Sequence, residues 1–597
     1  MKPEIKDLQD SLWIGYNAFK NSRLEAQKVY KYFHNEQYTQ VQLHKIRQRG
    51  APAETYNFIK LFSRLLVGYY SSVINHIQVT PRKSSDVITA SVLNDLVDYT
   101  LGRNNFSTEA DKMKLDMMLS GMMCCFESVE PTGKFDEFGR PLYEVKISHV
   151  PTMELILDPM SKKSDYSDAK FIHRYKWVSE EDLKNTFSGE AVDKLTANVN
   201  STNIPQADVN FSFPDGLMVG KYRVHNMYLV VHSIIKDKTK SWSVFWSGDY
   251  VLDKQEITYR SVKNPYRLQK LYETPTPMFY GIFREIMETQ DAVNQALLKI
   301  QTMVNTQKAL VERDKVENLA DFETAFNRVN AVIPVKSIAG VQIINLTREV
   351  QDQYTIIDNA KMRVKEILGI NDSFLGLAYA NDSGKKVQIQ QNASVVALKY
   401  LSTAIENFYR LLGHDMVDLI KQYYIAHDVI AVADTYTSQR WVEINAPFIA
   451  VDAKGRQKLL LEEVIDPNTG KPMTDNDGNI VMSPIPTAES EIAFTEADIR
   501  VESVAYNNEQ EQSEALLNNF LNSNLGTFLM QSNPAGFARA GALALKNMKN
   551  KFSPELADIL TQTAQIFEQQ QMISQALQQS QGAEIAGAEP REPMMGV

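Results

Sequence analysis

The chain has 597 residues, a mass of 67.8 kDa, a formal net charge of −10 and a pI of about 5.6. A composition of 44% hydrophobic and 10% aromatic residues excludes a wholly disordered chain, and the acidic balance argues against a protein that coats DNA through general basicity. The length predicts about three or four folded units.

The only cysteines, Cys124 and Cys125, are adjacent, and two thiols are too few for a disulfide framework or a four-thiolate zinc site. They fit assembly in a reducing cytosol. The N-terminal residues MKPEIKDLQDSLW contain no apolar signal core, and no run of about 18 apolar residues occurs. We therefore expect no membrane partner.

The first half of the chain predicts mixed helices and strands. Apolar spacing predicts helices through most of 1–80 and over 87–103. Thr108 and Asp111 have the spacing of a capping box, which predicts a helix ending near Gly121.

Strand patterns follow this helix. The segments 126–131 and 140–150 predict a β-hairpin, and 171–178 predicts another strand. Ser179 with Asp182 predicts the cap of a short helix, and 217–260 predicts two aromatic-rich strands around residues 247–249.

Long helices begin in the second half. Thr276 and Pro277 predict the start of a helix that continues to about Ala309, about 45–50 Å at 1.5 Å per residue. Its apolar stripe would be exposed in an isolated chain, which predicts packing between subunits. The predicted interface residues are Ile282, Ile286, Val293, Leu297, Ile300 and Val304.

The rest of the chain predicts a compact insert, two further long helices, strands and a helical tail. In order, the elements are a helix over 319–328 capped by Asn318 and Asp321, strands over 331–335 and 341–346, a helix over 351–368 ended by Gly369, a loop over 370–384, a helix over 385–425, strands over 427–503 with a hairpin at 466–478, helices over 507–581 and a disordered end over 582–597.

We find no catalytic constellation. The phosphate-binding glycine loop, the His-Glu-x-x-His motif and the Gly-x-Ser-x-Gly elbow are all missing from the sequence. Asp475, Asp477 and Gly478 resemble half of a calcium loop, but its outer ligand positions hold Met473 and Pro484, which favours a β-turn. We predict that the chain is not an enzyme and has no cofactor or metal site, and that His173 and His232 are structural.

Two other segments leave alternatives open. Lys45, Arg47 and Arg49 could contact phosphate, or could form a solvated basic patch or a salt bridge between subunits. The amide-rich segment 561–581, with 9 glutamines in 21 residues, fits an intermolecular helical bundle, a solvated helix or a partly disordered tail.

The order of these elements resembles the portal, or head–tail connector, proteins of tailed bacteriophages, of the short-tailed type. Four stretches carry the resemblance: QYTQVQLHKIRQRGAPAETYNFIKLFSRLLVG with Asn57 before a helix, HVPTMELILDPMSKKSDYSDAKFIHRYKWVSEEDL with Asp158-Pro159 and Asp168-Ala169, PMFYGIFREIMETQDAVNQALLKIQ with Gln290 and Asn294, and KEILGINDSFLGLAYANDSGKKVQIQQ.

The resemblance implies an α+β, mainly helical portal fold assembled as a ring. The implied parts are a wing at 1–276, stem helices at 277–311 and 351–369, a clip at 312–350, a channel loop at 370–384, a long helix to the wing at 385–426, a wing β region at 427–506, a helical crown or short barrel at 507–581 and a disordered tail at 582–597.

The resemblance also implies function. The ring would be a homododecamer at one capsid vertex of the virion, assembled in the host cytoplasm, with a channel for packaging and ejecting double-stranded DNA. Its partners would be terminase, then head–tail adaptor and tail proteins, and the major capsid and scaffolding proteins. Residues 277–368 contain 11 basic and 12 acidic residues, consistent with a channel wall that does not hold DNA tightly.

Two residue sets are candidates for contacts within this scheme. Lys385 and Lys386 beside the channel loop would form a cationic belt that touches DNA phosphates, or would start a helix and pair with carboxylates. The clip edge would give electrostatic register to terminase and adaptor, or would be a solvated loop. Its residues are Glu312, Arg313, Asp314, Lys315 and Glu317.

Other classes remain in competition. A DNA-processing packaging enzyme is disfavoured by the missing phosphate loop and by the lack of a clear carboxylate cluster for metal. Another structural protein of the virion or tail would share the absence of catalytic motifs, and the native mass would distinguish it from a portal ring.

Overall fold

The computed structural model describes most of the chain up to residue 505 and short pieces beyond it. The described residues are 4–48, 52–187, 189–197, 223–224, 227–237, 240–262, 264–305, 308–312, 318–326, 335, 337–344, 347–374, 390, 393–434, 438–451, 457–474, 480–487, 490–493, 495–505, 534–538, 541, 560, 562–563 and 566. Most of the predicted strand at 331–335, the residues Asp475, Asp477 and Gly478, most of the helical tail and the disordered end lie outside them.

The described part is an α+β structure in which helices hold more residues than strands, as predicted. The helices are α1 (Ile5–Ala18), α2 (Lys20–Phe33), α3 (Gln40–Gln48), α4 (Phe58–Ser72), α5 (Val87–Arg103), α6 (Phe106–Ser120), α7 (Glu180–Thr186), α8 (Glu190–Ala197), α9 (Met287–Asn305), α10 (Leu319–Phe326), α11 (Thr347–Leu368) and α12 (Lys399–Tyr423).

The strands form one larger antiparallel sheet and several small ones. They are β1 (Val73–Pro81), β2 (Met122–Phe135), β3 (Pro141–His149), β4 (Leu155–Leu157), β5 (Phe171–Ser179), β6 (Arg223–Val224), β7 (Met227–Lys236), β8 (Ser241–Ser247), β9 (Tyr250–Glu256), β10 (Tyr266–Lys270), β11 (Lys308–Val311), β12 (Val341–Ile344), β13 (Asp428–Asp434), β14 (Ser438–Ile444), β15 (Ile449–Val451), β16 (Gln457–Leu459), β17 (Leu461–Glu463), β18 (Met482–Pro484) and β19 (Ala497–Ala505).

The larger sheet has the order β4-β5-β7-β8-β9, with β6 paired to β7. A three-stranded sheet has the order β10-β2-β3, and β1 pairs with β19. The remaining pairs are β11-β12, β13-β14, β15-β16 and β17-β18.

Strand β2 carries both cysteines. Cys124 and Cys125 are free thiols and are fully buried. Burial raises the pKa of both thiols, because an apolar interior disfavours the thiolate. They therefore act as small apolar core residues at the junction of the three-stranded sheet with the helices.

Several local predictions are confirmed. Helix α5 spans the predicted 87–103, and α6 ends before Gly121. The hairpin of β2 and β3 forms, and Ser179 caps α7 by accepting a hydrogen bond from the Asp182 amide at 3.1 Å. Asn318 caps α10 by accepting from the Ala320 amide at 3.0 Å.

The predicted capping box at Thr108 is wrong. The Thr108 amide donates to the carbonyl of Asn105 at 3.0 Å, so Thr108 already lies in the first turn of α6. The helix begins earlier, at Phe106, whose buried ring packs against Tyr409 with 5.6 Å between centroids. This tertiary contact outweighs the local capping pattern.

The predicted helix start at Thr276 and Pro277 is also wrong. Helix α9 begins ten residues later, at Met287, and its 19 residues give a length of about 28 Å. The preceding backbone is used by α6, since the Ile282 amide donates to the Met118 carbonyl at 3.1 Å. A helix at 277–286 would need those amides for its own hydrogen bonds.

The C-terminal limit of this helix and one prediction in the N-terminal region also change, whereas a third long helix agrees where it is described. Residues 308–311, predicted as the helix end, form β11 and pair with β12. The helical prediction for 1–80 is wrong at 73–80, which belong to β1. The long helix predicted over 385–425 is helical at 390, at 393–397 and in α12, and its predicted start at 385–389 lies outside the described residues.

The predicted apolar stripe, of which Ile282 and Ile286 precede α9, is buried inside the chain, so the expectation that an isolated chain would expose it is wrong. Ile282, Ile286, Val293 and Ile300 are at most 6% exposed, and Leu297 is partly buried against the same core. They pack in one cluster with the inner face of α11, formed by Ile357, Ala360, Val364 and Leu368. Val304 alone of the six is largely exposed, at 65%.

Candidate partner-binding and assembly surfaces

A buried network of amide side chains fixes α9 to the N-terminal helices. Gln290 is fully buried, and its Oε1 accepts from the Phe58 amide at 2.9 Å. Its Nε2 donates to the Tyr56 carbonyl at 2.6 Å and to Gln37 at 3.2 Å. Asn294, one turn further along α9, also donates to Gln37. The two chain segments are thereby held in one register.

Residues of the first and third stretches that carry the portal resemblance meet at this network. Asn57 caps α4 by accepting from the Lys60 amide at 2.9 Å, and it donates to the Tyr32 carbonyl at 2.6 Å. The Tyr38 hydroxyl donates to the main-chain carbonyls of Glu54 and Asn294. The two stretches are more than 200 residues apart in sequence and in direct contact in the fold.

Replacing Gln290 by Ala should lower the free energy of unfolding by about 2–4 kcal/mol. The change removes the buried hydrogen bonds of Gln290 with the Phe58 amide, the Tyr56 carbonyl and the Gln37 side chain. Urea unfolding of purified protein measures the loss. The matched control is Gln295→Ala, an exposed amide on the same helix, which should change the unfolding free energy by less than about 0.5 kcal/mol. Equal losses would show that the buried network is not stabilising.

The antiparallel pair of β11 and β12 lies between the C-terminal end of α9 and the N-terminal end of α11, with α10 inserted between the two strands. Exposed apolar side chains surround this connection. They are Val304, Leu310, Leu319 and Ile338, with exposures from 53% to 84%. Glu312 is exposed directly after β11.

The other predicted contact residues lie outside the described part of the chain. These are Lys385 and Lys386 beside the loop, and Arg313, Asp314, Lys315 and Glu317 of the clip edge. The contact roles of all seven residues, Glu312 included, stay predictions.

The two aspartates of the second resembling stretch stabilise turns. Asp158 accepts from the amides of Met160 at 2.9 Å and Lys170 at 2.8 Å. Asp168 accepts from the Ser161 hydroxyl at 2.6 Å and the Lys162 amide at 2.9 Å. These contacts close the connection between β4 and β5, so the role of both aspartates is structural.

The structural reading of the two strand histidines is confirmed. His173 contacts Ser11 and Ser233 at 3.1 and 2.7 Å, and burial lowers its pKa to about 3. His232 contacts Tyr266 and Ser243 at 2.6 and 2.8 Å, and burial likewise lowers its pKa to about 3. Both imidazole rings are neutral at physiological pH, and both nitrogens of each ring have hydrogen-bond partners.

A second buried cluster was missed by the sequence reasoning. The Arg267 guanidinium on β10 donates to the Asp415 carboxylate on α12, with the Nε contact at 2.6 Å. Glu127 on β2 is buried nearby, and its charge interacts with both groups. No local pattern joins residues separated by 140 to 288 positions, so only the fold reveals the cluster.

Within the described ranges, no group of three or more His, Cys, Asp and Glu side chains is arranged to hold a metal ion. Among the helices described, none combines the length and apolarity needed to cross a bilayer.

Two comparisons with known proteins give matches to portal proteins. The family described as phage P22-like portal protein matches residues 10–596. A portal protein of Helicobacter pylori bacteriophage KHP30 is 23% identical over 454 residues, which are 74% of this chain and 70% of that protein.

Proposed function

This chain belongs to the phage P22-like portal protein family, and from that premise we propose that it forms a dodecameric ring at one vertex of a phage capsid. The ring encloses a channel through which double-stranded DNA enters during packaging and leaves during ejection. The observation that carries the proposal is the family match over residues 10–596.

The proposed parts follow the predicted boundaries. Residues 1–276 and 427–506 form the wing, and residues 277–311 and 351–369, which contain α9 and most of α11, form the stem. The region 312–350 forms the clip. The packing of α9 against α11 and the antiparallel pairing of β11 with β12 support an outgoing and a returning stem helix joined by a projecting piece.

The clip is the proposed docking site for terminase during packaging and for the head–tail adaptor afterwards. The exposed apolar side chains around β11 and β12 support a protein-binding role, since the free energy falls when a partner removes such side chains from water. Glu312, with Arg313, Asp314, Lys315 and Glu317, would set the register of the partner by charge. Lys385 and Lys386 would contact DNA phosphates from the channel loop.

Other proposed partners are the major capsid and scaffolding proteins, in the host cytoplasm during assembly. Val304 is the one residue of the predicted apolar stripe that is largely exposed and so available to a neighbouring subunit.

The protein acts as a conduit for DNA and a docking platform for other proteins, and the energy for DNA movement comes from a partner enzyme.

The purified protein should assemble into particles of about 0.8 MDa, twelve times the 67.8 kDa chain mass. Native mass spectrometry measures the mass, and negative-stain images should show rings with a central hole.

The Val304→Ser variant tests the one exposed residue of the apolar stripe and should weaken assembly without lowering the unfolding midpoint. A protein that stays monomeric under all assembly conditions would contradict the proposed function.

A further inference from the structure

A large polar cleft lies between the N-terminal helices and α9, and the proposed channel and clip make no use of it. Its volume is about 970 Å³. Helix α2, the connection to α3 and the first turn of α3 form one side, and Asp291, Asn294 and Gln295 of α9 form the other. A space of this size is within the range of binding clefts.

The cleft is lined mainly by uncharged hydrogen-bonding groups. Seven of its eighteen lining residues carry side-chain amides, on both walls. Its four charged residues are two lysines and two carboxylates, and one of each already forms the pair between Lys28 and Asp291 at 3.1 Å. The lining therefore has no net charge to attract a polyanion.

One residue that lines the cleft carries a hydrogen-bond donor with no acceptor among the described residues. Gln37 lines the cleft and is 7% exposed. Its Oε1 accepts from Gln290 and Asn294, which assigns the amide orientation. Its Nε2 is buried and has no acceptor among the described residues. An unfilled buried donor costs free energy, and an acceptor brought by a bound molecule would remove that cost.

We propose that this cleft binds an extended, weakly charged segment of another virion protein. A main chain in extended conformation presents alternating N–H and C=O groups. Side-chain amides can donate hydrogen bonds to the C=O groups and accept them from the N–H groups. Carbonyl groups of the segment would provide the missing acceptor near Gln37. The choice of a virion protein as the partner rests on the proposed function.

A peptide fits this lining better than nucleic acid does. Nucleic acid is held chiefly through cations that neutralise phosphates, and the cleft offers only Lys31 as a lysine that makes no ion pair within the described residues. Glu36 and Asp291 on the walls would repel phosphates.

The test compares two tryptophan variants of the assembled protein. Gln295→Trp places a large ring at the cleft wall, whereas Ala292→Trp places the same ring on an exposed position of α9 that does not line the cleft. Both are measured on an array of overlapping peptides from the other virion proteins encoded by the same phage, with peptides of this chain and a DNA duplex included.

At least one virion-protein peptide of low charge should bind the unsubstituted protein and the Ala292→Trp variant, and should bind Gln295→Trp at least about tenfold more weakly. An array with no such peptide would overturn the assignment. Binding of the duplex alone, or of peptides from this chain alone, would overturn it as well.

Native mass and unfolding midpoints of both variants are measured in parallel. They should equal those of the unsubstituted protein, because both changed side chains are exposed. A ring that forms normally but binds no peptide would reject the cleft and leave the proposed function standing, whereas loss of the ring in the unsubstituted protein would reject the proposed function itself.

Discussion

Gly121→Ala should destabilise the protein by more than about 3 kcal/mol, or prevent folding. Gly121 has a φ of +87°, and a Cβ built there would lie 1.8 Å from the carbonyl oxygen of Tyr280. Gly281 faces it in the same contact, with its own Cβ position 2.2 Å from the Met118 carbonyl oxygen. Two backbones approach here with no room for a side chain, so the contact cannot yield by rotamer changes.

Two other glycines distinguish the cost of the left-handed backbone at Gly121 from the cost of its contact with Tyr280. Gly139 has a φ of +82° and nothing within 4 Å of its Cβ position, so Gly139→Ala should cost only about 1–2 kcal/mol for the left-handed backbone. Gly102 has open space and an ordinary helical backbone, so Gly102→Ala should stabilise the protein by up to about 1 kcal/mol. Urea unfolding followed by tryptophan fluorescence measures all three. A loss at Gly121 no larger than that at Gly139 would show that the backbone contact is unimportant.

Arg267→Ala should lower the free energy of unfolding by about 3–5 kcal/mol, because it leaves buried carboxyl groups without their cation. Burial raises the pKa of Asp415 to about 6, and the guanidinium acts in the opposite direction. Burial also raises the pKa of Glu127 well above its usual value. Arg267 thus compensates charge at the point where β2, β10 and α12 meet.

The pH dependence of this loss has a defined sign. A carboxyl group whose folded-state pKa is raised binds its proton more tightly in the folded state, so its contribution to stability falls as the pH rises. Without Arg267, both carboxyl groups should stay protonated to higher pH. The deficit of Arg267→Ala should therefore be smaller at about pH 5 than at about pH 8.

Arg103→Ala is the matched control for this variant. Arg103 also pairs with a carboxylate, Glu144, at 3.2 Å, but its side chain is 58% exposed. The exposed pair should contribute less than about 1 kcal/mol. The double variant Arg267→Met with Asp415→Leu should recover part of the loss, since it removes both charges. Equal losses for Arg267→Ala and Arg103→Ala would contradict the role of burial.

Local patterns predicted elements wherever the signal and the contact lie in the same few residues. Helix α5, the end of α6 at Gly121 and the cap at Ser179 are examples. In each, helix propensity, a cap or a turn residue acts on its neighbours, so no distant part of the chain is needed to explain the boundary.

Boundaries set by distant contacts were not predictable in this way. Strand β1 pairs with β19, more than 400 residues away, and nothing near residue 73 specifies that partner. Residues 277–286 have a good helix-start signal, but their backbone bonds to α6 instead. Competition between local and tertiary hydrogen bonds is decided by the whole fold.

The candidate surfaces follow the same rule. Gln290 and Asn294 were recognisable as residues of a resembling stretch, yet their partner Gln37 and the cleft above it depend on how α9 lies against α2 and α3. The stripe of α9 was correctly identified as apolar, but periodicity does not say whether a neighbour in the same chain or in another copy covers it.

The enclosed position of Cys124 and Cys125 has a consequence for a particle that leaves a cell. Oxidation and disulfide exchange both require a thiolate that solvent can reach, and neither sulfur meets that condition. Peroxide or an outside disulfide can attack only after β2 has opened locally. Adjacent subunits of an assembled ring would therefore form no disulfide crosslinks with each other while β2 stays folded. Their cysteines would likewise be protected from oxidation to sulfenic acid.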